Sequence, residues 1–119
     1  MLNKILVILF LSLFTLSFAQ IKKIKRKDIS QINKNWSLIK TVSNTYGISS
    51  DKGSIIVQPI YTKIEEFGKY DKSLALVENV AGGCGFIDKS GKEVIPAQFE
   101  RSEIKNNFQS LYKKYITEK

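Results

Sequence analysis

From residue 36 onward, short apolar runs alternate with turn-forming residues at nearly regular intervals. Residues 74–80 form one apolar run, residues 84–87 a second, and residues 93–95 a third that we expect Pro96 to end. Glycines and aspartate separate these runs at residues 81–83 and 88–91. Short strands with turn signals between them are typical of an antiparallel meander, so the pattern predicts an all-β fold.

The same pattern occurs twice, with a period of 38 residues. The first copy offers strands at residues 36–42, 46–49 and 54–57. Positions of matching class coincide after the shift, among them Gly47 with Gly85, Ile48 with Phe86, Gly53 with Gly91, Val57 with Ile95, and Tyr61 with Phe99. We therefore expect about two copies of one strand-turn-strand unit.

The second copy carries a recognisable motif. It reads Ser-Leu-Ala-Leu-Val at residues 73–77, then Gly-Phe-Ile-Asp-Lys-Ser-Gly-Lys-Glu-Val-Ile-Pro at residues 85–96, followed by Phe99. This resembles the tryptophan-glycine (WG) repeat family over residues 36–104, with Tyr46 and Cys84 where tryptophan is usual. Similar repeats occur in many bacterial secreted and surface proteins. The resemblance brings no catalytic motif, and it implies a non-enzymatic binding or interaction module of unknown ligand.

The flanks of the two copies are less regular. Asp28-Ile29 precedes Glu66-Phe67 by one period, so residues 20–35 could hold a partial repeat. For residues 104–119 we expect a last strand or an irregular cap. A helix remains open, because Ile104, Phe108, Leu111 and Tyr115 are spaced for one helical face.

Residues 1–19 have the features of a signal peptide. Lys4 precedes an apolar run, and Ser17-Phe18-Ala19 offers small residues for cleavage before Gln20. This predicts export to the periplasm, cell surface or medium, with no transmembrane segment after cleavage. The organisation is then a signal peptide at 1–19, a basic arm at 20–35 and a β-repeat domain at 36–119. The alternative is an uncleaved anchor with a cytoplasmic repeat module, because basic residues after an apolar segment oppose translocation.

Charge is concentrated in the arm. The formal net charge of the whole chain is +8, and five basic residues lie close together: Lys22, Lys23, Lys25, Arg26 and Lys27. These are the candidate anion-binding residues, with acidic polysaccharide, lipid head groups or another protein as possible partners. Nucleic acid is not expected, because no aromatic residue interleaves with them. The plainer interpretation is a solvated leader.

Composition limits the chemistry. The chain has no histidine and one cysteine, so histidine-based acid–base relays, internal disulfides and cysteine-rich zinc sites are excluded. Cys84 is expected to fill an inward position rather than act in redox chemistry. The carboxylates Glu65, Glu66, Asp88, Glu100 and Glu103 leave a small secreted hydrolase as the alternative function. We assign no catalytic, metal-binding or cofactor-binding residue, and no cofactor.

Large side chains are needed to build a core in so short a chain. Six aromatic residues fall at strand positions of the repeat and are expected to be core: Trp36, Tyr46, Tyr61, Phe67, Phe86 and Phe99. Tyr70, Tyr112 and Tyr115 are expected to be partly exposed.

Overall fold

A computed structural model describes residues 21–118. Seven strands form one antiparallel sheet, and their order in the sheet is their order in the chain. The strands are β1 (Lys22–Ile24), β2 (Trp36–Lys40), β3 (Tyr46–Ser50), β4 (Ile55–Ile64), β5 (Leu74–Asn79), β6 (Cys84–Asp88) and β7 (Glu93–Phe99). Helix α1 (Lys27–Ile32) follows β1, and helix α2 (Arg101–Tyr112) follows β7. The all-β meander expected from the sequence is confirmed. The predicted signal peptide lies outside the described residues.

The 38-residue period is visible in the strands and in the turns. Strands β2, β3 and β4 begin at residues 36, 46 and 55, and β5, β6 and β7 begin at residues 74, 84 and 93. The hairpin turns match as well: Asn44 and Gly82 both have positive φ, at 62° and 88°, and so do Gly53 and Gly91. We call β2–β4 the first repeat and β5–β7 the second repeat.

Both repeats also share one irregularity. The pairing register shifts between Tyr46 and Ile48 in the first repeat and between Cys84 and Phe86 in the second. The opposite strand carries extra residues at each shift, which is the signature of a bulge. Pro96 lies in this bulged region, so β7 continues through it to Phe99, and our expectation that Pro96 ends the strand is wrong.

Each repeat has an inner face of large, buried apolar side chains. Leu38, Ile48 and Val57 line this face in the first repeat, and their equivalents Leu76, Phe86 and Ile95 line it in the second, all of them at most 6% exposed. The first face is covered by Ile29 of α1 and by side chains from the opposite side of the second repeat: Ala75, Val77 and Ile87. The repeats are therefore stacked, each inner face needing a neighbour to exclude water.

Helix α2 supplies that neighbour for the second repeat. Ile104 is fully buried against it, and Phe108, Leu111 and Tyr115 pack on the same cluster. A π-helical turn over Lys113–Thr117 ends the described chain. Our expectation of a strand or irregular cap is wrong here, because the apolar residues at helical spacing cover the inner face of the second repeat. None of the helices in residues 21–118 is long and apolar enough to span a membrane.

Candidate functional site

An open cleft of about 450 Å³ lies in the first repeat. Its apolar wall consists of Ile24, Leu38, Tyr46 and Ile64. These side chains come together because β1 pairs with β2, β2 with β3, and the long strand β4 continues past β3 to pair with β5. A volume of this size falls in the range of small-molecule sites.

Polar residues complete the lining of the cleft: Arg26, Thr62, Lys63 and Glu65. Arg26 is engaged within the fold, since its Nε donates to Asp28 Oδ1 at 2.7 Å and its Nη1 to the carbonyl oxygen of Ile64 at 2.7 Å. Glu65 is engaged by Arg101, whose Nη1 lies 2.6 Å from Glu65 Oε2. Both groups hold the cleft together rather than offer a free charge.

Lysines without a carboxylate partner cluster beside this cleft. Among residues 21–118, no ion pair within 4 Å involves Lys22, Lys40 or Lys63. Lys40 is half-buried, and its Nζ lies 5.8 Å from the centroid of the Tyr46 ring. Lys22 is the register partner of Lys40 across β1 and β2. Two like charges directly opposite in a sheet repel each other, so an anion between Lys22 and Lys40 would relieve that repulsion.

The equivalent positions in the second repeat carry a closed network. Three residues are one period apart from residues of the first repeat: Glu78 is equivalent to Lys40, Arg101 to Lys63, and Cys84 to Tyr46. Arg101 Nη2 lies 3.4 Å from Glu78 Oε1, and Cys84 Sγ donates to the same oxygen at 3.6 Å. Burial alone would raise the pKa of Glu78, but the hydrogen bonds from Cys84 and Arg101 outweigh it and the pKa is lowered.

Cys84 is a buried residue of the core. Its side chain is fully buried in the cluster beneath α2. Burial raises the pKa of its thiol, and the neighbouring Glu78 carboxylate raises it further. A thiol that stays protonated is a weak nucleophile, so this environment favours packing over redox chemistry.

The five candidate anion-binding residues of the arm do not form one site. Lys22 and Lys23 are exposed on β1, and Lys27 is exposed at the start of α1. Lys25 Nζ donates to the carbonyl oxygen of Lys34 at 3.1 Å and lies 3.7 Å from Asp51 Oδ1. Arg26 is bound to Asp28, as above. The arm is thus a strand and a helix, and only part of its charge faces outward.

The carboxylates considered for hydrolysis have structural partners. Asp88 Oδ1 accepts hydrogen bonds from Ser90 and Lys92 in the turn between β6 and β7. Glu103 Oε1 accepts from the backbone N–H of Glu100 at the start of α2. Glu65 is bound to Arg101, and Glu66 is exposed. Only Glu65 among them lines the cleft of the first repeat described above.

The cleft itself was missed by the sequence analysis. Its walls come from β1 to β4, which are separated along the chain, and only the folded sheet brings them together. One signal was present in the sequence: the residue at position 40 is basic, whereas its equivalent one period later, Glu78, is acidic.

Comparison with known protein families gives one match. The model described as WG containing repeat matches residues 46–79 and 85–108. The first segment covers β3, β4 and β5, and the second covers β6, β7 and most of α2. Comparison with curated proteins and with solved structures gives no match. The family suggested by the sequence motif is confirmed.

Proposed function

Because the chain belongs to the WG repeat family, we propose that it is an exported, non-enzymatic binding module that takes its ligand in the cleft of the first repeat. The observation that carries this proposal is the difference between two equivalent sites. In the second repeat the site is filled by the Arg101–Glu78 ion pair and by side chains of the C-terminal helical segment. In the first repeat the same place is an open, largely apolar cleft.

The non-enzymatic part of the proposal rests on the state of the acidic side chains. Catalysis by two carboxylates needs a pair that flanks the substrate and differs in pKa. Here Asp88 serves a turn, Glu103 a helix end and Glu65 an ion pair, and Glu66 is exposed. Binding needs none of them to be free, so a binding role fits the arrangement better than hydrolysis does.

Export is proposed from the segment that precedes the described residues. An apolar run followed by Ser17-Phe18-Ala19 matches the layout of a cleavable signal peptide. The test is the intact mass of protein recovered from cells that express the full chain. A chain that begins at Gln20 is the expected result, and a chain that begins at Met1 would favour the anchored alternative.

The binding role is tested with a panel of small amphipathic probes of neutral, cationic and anionic character, read by the shift in unfolding midpoint. At least one probe is expected to raise the midpoint. Thr62→Trp places a large side chain in the lining of the cleft, and it is expected to remove the shift. Ile60→Trp is the matched control, since Ile60 lies on the same strand but is 56% exposed. The proposal is overturned if no probe shifts the midpoint or if Thr62→Trp leaves every shift unchanged.

A further inference from the structure

The two repeats carry opposite charges at one pair of equivalent positions, Lys40 and Glu78. In the second repeat, the carboxylate of Glu78 lies between Arg101 and Cys84. In the first repeat, Lys63 is the equivalent of Arg101 and Tyr46 is the equivalent of Cys84. The first repeat thus keeps the cation at the position of Arg101 and has a second cation where the second repeat has its carboxylate.

We propose that the cleft binds an amphipathic carboxylate, with its alkyl chain along Ile24, Leu38 and Ile64 and its carboxylate at Lys40. This inference rests on the proposed binding function and names the ligand class. The ligand's carboxylate supplies the negative charge that Glu78 supplies in the second repeat. The Lys40 ammonium, which now contacts the ring of Tyr46, then gains an anionic partner.

Lys40 is the residue best suited to hold the anion. It is half-buried, and among residues 21–118 its ammonium has no carboxylate within 4 Å. Its register partner is another lysine, Lys22, and the repulsion between them is relieved by a bound anion. Lys63 contributes less, because its register partner is Glu78 and its charge already helps to lower the pKa of that carboxyl group.

The apolar wall determines the rest of the ligand. Ile24, Leu38, Tyr46 and Ile64 offer side-chain carbon, and the polar groups Arg26 and Glu65 are already bound within the fold. A peptide would bring backbone N–H and C=O groups that need partners, and burying them unpaired is costly. An alkyl chain needs none, and each buried CH₂ group contributes about 0.8 kcal/mol.

The test is calorimetric titration of the protein purified from cells that express the full chain. Three probes separate the two parts of the ligand: decanoate, decyltrimethylammonium with the same chain but the opposite charge, and butyrate with the same carboxylate but a short chain. Decanoate is expected to bind one per chain and at least about ten-fold more tightly than either of the others.

Lys40→Glu is the decisive variant. It installs the residue that the second repeat carries at the equivalent position, so the fold is expected to persist, with an unfolding midpoint near that of the wild type. Decanoate affinity is expected to fall at least about ten-fold. Lys52→Glu is the matched control, because it changes the charge equally in an exposed turn and is expected to leave the affinity within about two-fold. Lys40→Gln, which only removes the charge, serves if Lys40→Glu does not fold.

The outcomes separate this inference from the proposed function. Equal binding of decanoate and decyltrimethylammonium, with no effect of either Lys40 variant, would overturn the carboxylate assignment and leave the cleft as a binding site. Failure of decanoate to bind overturns the inference too, whereas the proposed function falls if every probe of the neutral, cationic and anionic panel fails or if Thr62→Trp leaves every shift unchanged.

Discussion

At the scale of single residues, the glycine that follows Tyr46 and Cys84 is the position least open to change. A Cβ on Gly47 would clash with the carbonyl oxygen of Val57 and would lie 2.8 Å from the Pro59 nitrogen. A Cβ on Gly85 would meet the carbonyl oxygen of Ile95 in the same way. The bulge in the opposite strand brings this backbone close, so the glycine of the repeat motif is a packing requirement in both repeats.

Gly85→Ala is therefore expected to destabilise the protein by about 3 kcal/mol, because the clash is with backbone that cannot rotate away. Gly53→Ala is the control. Its backbone has φ of 86° but nothing lies within 4 Å of a Cβ there, so only conformational strain remains, about 1 kcal/mol. Denaturant unfolding of both variants checks the difference, and an equal loss would contradict the close-approach explanation.

The buried side chain of Tyr61 leads to a prediction about the stability of the protein at alkaline pH. Its hydroxyl donates to Glu93 Oε1 at 2.9 Å. Burial raises the pKa of Tyr61 well above its usual value, and the bond to Glu93 raises it further. The stability that this tyrosine contributes is fully present below the pKa of the unfolded state, near 10, and is lost as pH rises above it.

Tyr61→Phe is expected to reduce this loss. The free energy of unfolding, measured by denaturant titration between pH 9 and about 11.5, should fall less steeply in the variant than in the wild type. Lysines titrate in both proteins, so the comparison isolates the tyrosine. Identical slopes would mean that Tyr61 ionises as readily in the folded protein as in the unfolded chain.

At the scale of elements, helix α2 covers the inner face of the second repeat, just as the second repeat covers the inner face of the first. The ring of Phe108 lies 5.2 Å from that of Phe86 and 5.4 Å from that of Tyr70, measured between centroids. Arg101 joins the first turn of the helix to Glu65 and Glu78. The helix is thus the cap that a short stack of repeats needs at its end.

Phe108→Ala is expected to cost about 3 kcal/mol, because it removes a ring from an aromatic cluster and opens the inner face of the second repeat. Lys105→Ala on the exposed side of the same helix is expected to change stability by less than about 0.5 kcal/mol. Denaturant unfolding of the two variants tests whether α2 belongs to the core. A small effect of Phe108→Ala would show that the helix is only peripheral.

The strands could be predicted from the sequence because each is bounded by a local turn signal, such as Asp88 to Gly91 between β6 and β7. For helix α2, the sequence alone did not decide between a helix and a last strand. Ile104, Phe108 and Leu111 have helical spacing, but the reason they form a helix is the uncovered face of the second repeat, which is not local. The cleft could not be predicted from the sequence for the same reason, since Ile24 and Ile64 come together only through the pairing of several strands.

At the scale of the whole molecule, the two copies of one unit differ at equivalent positions. The second repeat neutralises its own cations with Glu78 and is covered by α2. The first repeat keeps Lys40 without a carboxylate and leaves its cleft open. We propose that the second site stabilises the stack and that the first is the one available to a ligand.

This difference between the repeats is tested most directly by methyl-detected NMR during titration with decanoate. The account predicts shifts at the methyl groups of Ile24 in β1 and of Leu38 and Ile64 in the first repeat. Leu76, the equivalent of Leu38 in the second repeat, and Ile95 on the same inner face are expected to stay unchanged through the titration. Shifts of equal size in both repeats, or shifts confined to the second, would contradict the assignment of the binding site to the first.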